Sequence, residues 1–286
     1  MSNINEFRKK IGKLPIDKRL EICENLSKQR MMKNAPKPAS MINTKIEPYN
    51  HELEMIAFNS VIVDNRLGFD ELPLKWILSC TRFIRSQEFL TEQTKNYGVL
   101  KLISALGFTQ FEGQQHFDQL YYRYNYLYNY QSGNVDMKTV FFNKFGISYE
   151  MLQRIVLHFQ LWALMDKHNL NADQFLKQKL KKKYFSLLAF LIKKRDDFIE
   201  EYQDITANDD FFSFLDLNLL IKYPIIDYNN KLFIPYVPYI IYAITKTLMF
   251  RITEGDNQLR SLIGKNVIEG YVQNLLQKSN VTNKLT

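Results

Sequence analysis

Residues 224–235 read Pro224-Ile225-Ile226-Asp227-Tyr228-Asn229-Asn230-Lys231-Leu232-Phe233-Ile234-Pro235. The fold turns on this stretch. Two short runs rich in β-branched and aromatic residues flank an Asn-Asn pair. Asparagine tolerates the positive φ that a tight two-residue turn needs. The pattern predicts a β-hairpin near 223–235, with Pro224 and Pro235 at its ends, where no ladder hydrogen bond is lost. Just downstream, Val237 to Phe250 is apolar on nearly all sides, the mark of a buried central helix. The wider apolar stretch Leu232 to Phe250 contains Pro235, Pro238 and Lys246, which leave it short of a clean run of about twenty apolar residues that spans a bilayer.

Working upstream, the chain reads as helical. Only 10 Gly and 8 Pro occur in 286 residues, too few for an all-β fold with many tight turns. Asn171 to Asp204 predicts one long helix, with Leu180, Tyr184, Leu187, Leu188, Leu191 and Ile192 facing inward. Ser148 is placed to cap a long helix that opens at Tyr149 and runs through Ile155, Leu157, Phe159, Trp162 and Leu164 to include His168, and Gly146 to stop the one before it. Two more amphipathic faces are Leu53, Ile56, Ala57, Val61 and Val63, and Leu72, Trp76, Ile77, Cys80, Phe83 and Ile84. Pro73 stands in the first turn of the latter. Shorter helices are expected over 99–106 and 117–128. The Tyr run from Tyr121 to Tyr130 fits either packing or a base-stacking platform.

The expected fold is therefore mainly α, a multi-helix bundle-like domain with one small hairpin. Asn34 to Pro48, with Pro36, Pro38 and Pro48, reads as a linker. It separates a basic helical arm, 1–35, from a helical domain, 48–255. A last helix covers 259–276.

The formal charge is +8 and the pI about 9.2, a balance that suits nucleic acid or an acidic partner. Two patches concentrate it. Lys9, Lys10 and Lys13 lie on the arm. Lys177, Lys179, Lys181, Lys182 and Lys183 crowd the first half of a helix, where cations oppose the macrodipole. Phosphate contact and a plain solvated face both fit these lysines. Cys23 and Cys80 form no metal or disulfide framework, and no apolar signal core follows Met1, so a reducing cytoplasm is expected. The four histidines lack metal-site spacing, and neither a phosphate loop nor a serine-nucleophile motif is present. No catalytic constellation emerges. The acidic pairs Asp196-Asp197, Glu200-Glu201 and Asp209-Asp210 fit magnesium binding, but read first as a solvated helix end and an acidic loop.

The segment from Leu215 to Leu276 resembles the junction region of bacterial phage-defence proteins that carry a C-terminal PD-(D/E)XK or NERD-like nuclease domain. The matching features are the two hairpin strands, the buried helix, and Ile263-Gly264-Lys265 followed by Glu269-Gly270-Tyr271-Val272. The resemblance implies a non-catalytic helical interaction or sensing module that binds a protein partner, a phage component or nucleic acid. It also implies that Glu269 belongs to a metal site, with magnesium as the cofactor only where a nuclease half is supplied. The ten residues after Leu276 cannot build the acidic strands such a nuclease needs. A truncated metal-dependent nuclease and a stand-alone nucleic-acid binder are the other expectations.

Overall fold

The computed structural model describes residues 3–34, 50–65, 71–86, 125–132, 135–164, 170–179, 184–206 and 219–278. Within them the protein is mainly α-helical, with a small three-stranded sheet and a short two-stranded ribbon. The N-terminal helices are α1 (Asn3–Ile11), α2 (Ile16–Asn34), α3 (Asn50–Ile62) and α4 (Pro73–Ile84). The ribbon pairs β1 (Gln131–Ser132) with β2 (Val135–Asp136). Two helices follow, α5 (Met137–Phe145) and α6 (Tyr149–Leu164). Gly146 ends α5 at φ 65°, a left-handed position that glycine adopts without strain. The Ser148 hydroxyl accepts from the Met151 N–H at 3.3 Å, as a cap should.

The hairpin forms as expected. Strands β4 (Ile225–Tyr228) and β5 (Lys231–Phe233) pair antiparallel, and Asn229 and Asn230 take φ of 51° and 59°. Those two left-handed residues make a turn whose twist matches the strands.

The single helix expected over 171–204 is corrected by the structure. Asn171 does cap a helix, with a capping box to Gln174. That helix, α7 (Ala172–Gln174), widens into a π-helical turn, Phe175–Lys179. Then α8 (Phe185–Leu191) gives way to β3 (Ile192–Lys194) before α9 (Arg195–Thr206) begins. β3 pairs parallel with β4, Ile192 opposite Ile225 and Lys194 opposite Asp227. The ladder supplied by β4 outweighs a local helical preference worth only tenths of a kcal/mol per residue. A short α10 (Leu219–Lys222) leads into β4. Asn34 belongs to α2, and the rest of the linker, the 99–106 helix, residues 117–124 of the next, His168 and the Asp209-Asp210 pair lie outside the described residues.

The sheet separates two hydrophobic cores. Successive strand residues point to opposite faces, and here both faces are dry. Ile226 and its register partner Phe233 face a core made by α1–α4 and α9. Ile225 and Ile234 face the other, made by α5, α6, α8 and the C-terminal helices. α11, directly after the hairpin, runs from Val237–Tyr242 through a π-helical turn, Ala243–Thr247, into Leu248–Arg251. Val237, Ile240, Ile241 and Ile244 are buried in the second core, and Tyr236 and Tyr239 in the first. This is the central helix that the apolar run predicts. α12 (Asn257–Leu262, π-helical Ile263–Ile268, Glu269–Lys278) closes the fold, capped by Asp256.

Buried polar groups pin α2 across the junction. The Glu24 carboxylate accepts from the Ala172 N–H at 2.7 Å and the Ile234 N–H at 3.2 Å. Ser27 accepts from the Val237 N–H at 3.1 Å. Lys28 donates to the Leu170 carbonyl and lies 4.5 Å over the Trp162 ring. Burial pushes the Glu24 carboxyl up to about 7, against the hydrogen bonds it accepts.

Candidate functional site

α4 is amphipathic in an unusual sense. Its inner face, Trp76, Ile77, Cys80, Thr81 and Ile84, is buried. The Trp76 indole donates to the Ile11 carbonyl at 3.1 Å, which fixes α4 against α1. The outer face is also largely apolar. Leu74 is 71% exposed. Leu72, expected on the inward face, is 73% exposed because it stands at the extended N-cap position, before the helical periodicity begins. Leu78 continues the row from Leu74 to Arg82 at four-residue steps. Leu72 and Leu74 both line one groove, so they form a patch rather than scattered surface residues.

This face opens into a groove of about 630 Å³ shared with α1. Phe83 stacks on Phe7 at 6.0 Å. Lys10 lies 5.3 Å over the Phe83 ring and 3.6 Å from Glu6. Lys75, Arg82 and Lys10 bring three cations to the walls, against Glu71, whose nearest cation is Lys75 at 3.9 Å. The α4 N-terminus adds to the positive field. Leu72 stands at the N-cap and makes no side-chain cap itself, and the first turn carries a partial positive charge that attracts acceptors.

The sequence-singled lysines fall in different places. Lys10 lines the groove. Lys9 and Lys13 are half-buried on the same N-terminal segment, and the Lys13 carbonyl accepts from the Glu71 N–H at 3.2 Å. Lys177 is exposed at the hairpin tip, where it binds Asp173 at 2.6 Å and the Asn230 carbonyl at 2.9 Å. Its charge thus serves the turn. Lys179 lies in the π-helical turn, and Lys181, Lys182 and Lys183 lie outside the described residues. Glu269 is exposed on α12. Among the described residues no group of three or more His, Cys, Asp or Glu is placed to hold a metal. No described helix is long and apolar enough to cross a membrane.

In the Tyr run, the described members pack. The Tyr128 hydroxyl donates to the Ile244 carbonyl at 3.0 Å. Tyr126 packs at a tilt against Tyr271, ring centres 5.2 Å apart, and its hydroxyl donates to the Gly270 carbonyl.

A second cationic convergence is consumed internally. Lys193, Lys222 and Arg251 all lie about 5 Å from the Tyr223 ring centre. Glu201 accepts from Lys193 at 2.8 Å and Lys222 at 3.1 Å. Burial opposes its ionisation, yet those two bonds hold the Glu201 carboxyl below the usual range. Arg251 donates to the Lys222 and Phe190 carbonyls. The cluster ties β3, α9, α10 and α11 together and leaves little charge to offer a ligand.

Lys75 and Arg82, which complete the groove, carry no basic run in the sequence. Their signal is the row Leu74, Leu78, Arg82, offset from the inward face. Comparison with known protein families, with curated proteins and with solved structures finds no match to this chain.

Proposed function

We propose that the protein is a helical interaction module whose α1–α4 groove receives an acidic, apolar segment of a partner protein. The single observation behind this reading is the juxtaposition of Leu72 and Leu74, 73% and 71% exposed, with Lys10, Lys75 and Arg82 in one groove. An amphipathic helix lays leucine-type anchors into such a groove and keeps its charges at the rim. Acidic residues would meet the three cations, and a carboxylate would suit the α4 N-terminus. This is the kind of role that the resemblance to defence proteins implies. A nucleic acid would use the cations, but it has little use for an aliphatic floor.

The test is a fluorescence-anisotropy titration with a labelled helical peptide bearing leucines and glutamates on one face. Paired surface substitutions, Leu74→Ser with Leu78→Ser and Lys75→Glu with Arg82→Glu, should each weaken binding by at least about tenfold. Equal affinity of native and leucine-substituted protein sinks the reading. So does tight, steeply salt-dependent binding of single-stranded DNA that is lost with the charge reversals and kept with the serines.

A further inference from the structure

Arg19 is 0% exposed, and its position on α2 explains why. Ile16, Arg19, Leu20 and Cys23 lie on one helical face, and the other three are core residues. Its guanidinium donates through Nη2 to the Val63 carbonyl at 2.8 Å and to Asn65 Oδ1 at 3.3 Å. Its Nε and Nη1 are buried and have no hydrogen-bond partner. A second guanidinium shares the site. Arg195, at the start of α9, donates to the same Val63 carbonyl at 3.1 Å, and to the Val61 carbonyl at 2.7 Å. Both Nη2 atoms lie within 3.1 Å of one oxygen, so about 6 Å at most separates them.

Capping the α3 C-terminus suits an arginine, but two like charges at this spacing repel in a poorly solvated interior. The counter-charges among the described residues are Asp64, 2.8 Å from Arg195 with a side chain 84% exposed, and the more distant Asp196, 4.0 Å from Arg195 and 95% exposed. The Asp64 carboxylate hangs at the rim and does not reach Arg19's open nitrogens. Burial, then the Arg195 charge, lowers Arg19 to about 10, consistent with a cation short of partners. A fully buried guanidinium with two unused donors is rare, and an ion or water ordinarily accounts for such groups.

We infer that the Arg19–Arg195 pair is a binding site for a small inorganic oxyanion of the phosphate or sulfate class. The anion enters past the exposed Asp64 and Asn65, displaces the weak Asn65 contact, and accepts from both guanidiniums. Asp64 is its competitor, an in-built carboxylate that holds Arg195 while the site is empty. With Arg19 0% and Arg195 6% exposed, the pair suits a small ion and not a larger phosphorylated molecule.

Thermal unfolding in inorganic phosphate and in chloride of matched ionic strength tests this. Phosphate at about ten times its dissociation constant should raise the native midpoint by roughly 2–4 °C over chloride. Asp64→Asn should enlarge that difference, because it removes the competitor. Arg19→Met should abolish it. Equal midpoints in the two salts overturn the assignment. So does an Arg19→Met response as large as the native one, which would mark an adventitious ion only. If Arg19→Met does not fold, the Asp64→Asn comparison decides: no gain in the phosphate response overturns it. A shift of the same size with adenosine monophosphate overturns the small-ion assignment.

Discussion

The two cores on either side of the sheet are built from different chemistry. The C-terminal one is mainly apolar and aromatic, with Thr245, Arg251 and Thr253 as buried polar residues of the C-terminal segment. Phe159 meets Phe175 edge-on at 5.3 Å, Trp162 stacks on Phe175 at 5.0 Å, and Phe145 meets Phe190 at 5.3 Å. The N-terminal one carries Arg19, Asn59, Ser60, Thr81 and Arg195 in its interior or at its edge. Most of the described unpartnered buried polar atoms lie on that side too, on Arg8, Arg19, Asn59 and Glu71, against one on Arg251. Apolar packing gives stability without direction, whereas buried polar groups must find particular partners. The difference teaches where binding is to be sought. The groove and the arginine pair both lie on the N-terminal side.

Three measurements can break or sharpen that contrast. The largest effect is expected from Phe159→Ala, which opens a cavity in the apolar core and should cost about 3–5 kcal/mol in urea unfolding. A loss under about 1 kcal/mol would show that core to be loosely packed.

Next comes Glu24, which joins the two sides through Ala172 and Ile234. Its carboxyl is raised from 4.5 to about 7 by burial, with Lys28 and Glu21 as the neighbouring charges. Between those values the folded protein holds a proton that the unfolded chain has released. The Glu24 contribution is therefore full below pH 4.5 and is lost as pH rises to about 7, an effect of order 1–3 kcal/mol. Glu24→Gln should flatten the stability profile across that window, and an unchanged slope would assign the proton elsewhere.

The smallest effect concerns the turn. Asn230 sits at φ 59°, so Asn230→Val should cost about 1–2 kcal/mol, while Asn230→Gly is close to neutral. Because both cores share the hairpin, the loss should appear as one earlier transition; two separated transitions would mean that the cores unfold independently.

The hairpin was legible because its turn residues are local: two asparagines at φ that few residues accept. The buried helix was legible from composition alone. β3 was not, since Ile192-Lys193-Lys194 continues a helical periodicity and its partner is more than thirty residues away. Nothing within three residues announces a long-range ladder. Lys177 reads as an exposed charge and is one, yet its Nζ is taken by Asp173 and Asn230, which spacing cannot reveal. Arg19 is the reverse. It counts toward a basic arm, while its place three residues after Ile16 and four before Cys23 puts it on the buried face. The groove was half legible: Lys10 stands in a basic run, whereas Lys75 and Arg82 acquire meaning only beside Leu72 and Leu74.

Ile225 and Ile226 are adjacent in the chain and belong to different cores. A strand that loses or gains one residue turns every side chain to the opposite face. In most sheets that spoils one interior; here it would exchange the contents of two. Deletion or insertion within 225–234 is thus a far graver change than substitution at the same positions. Length, more than composition, is what this segment must preserve.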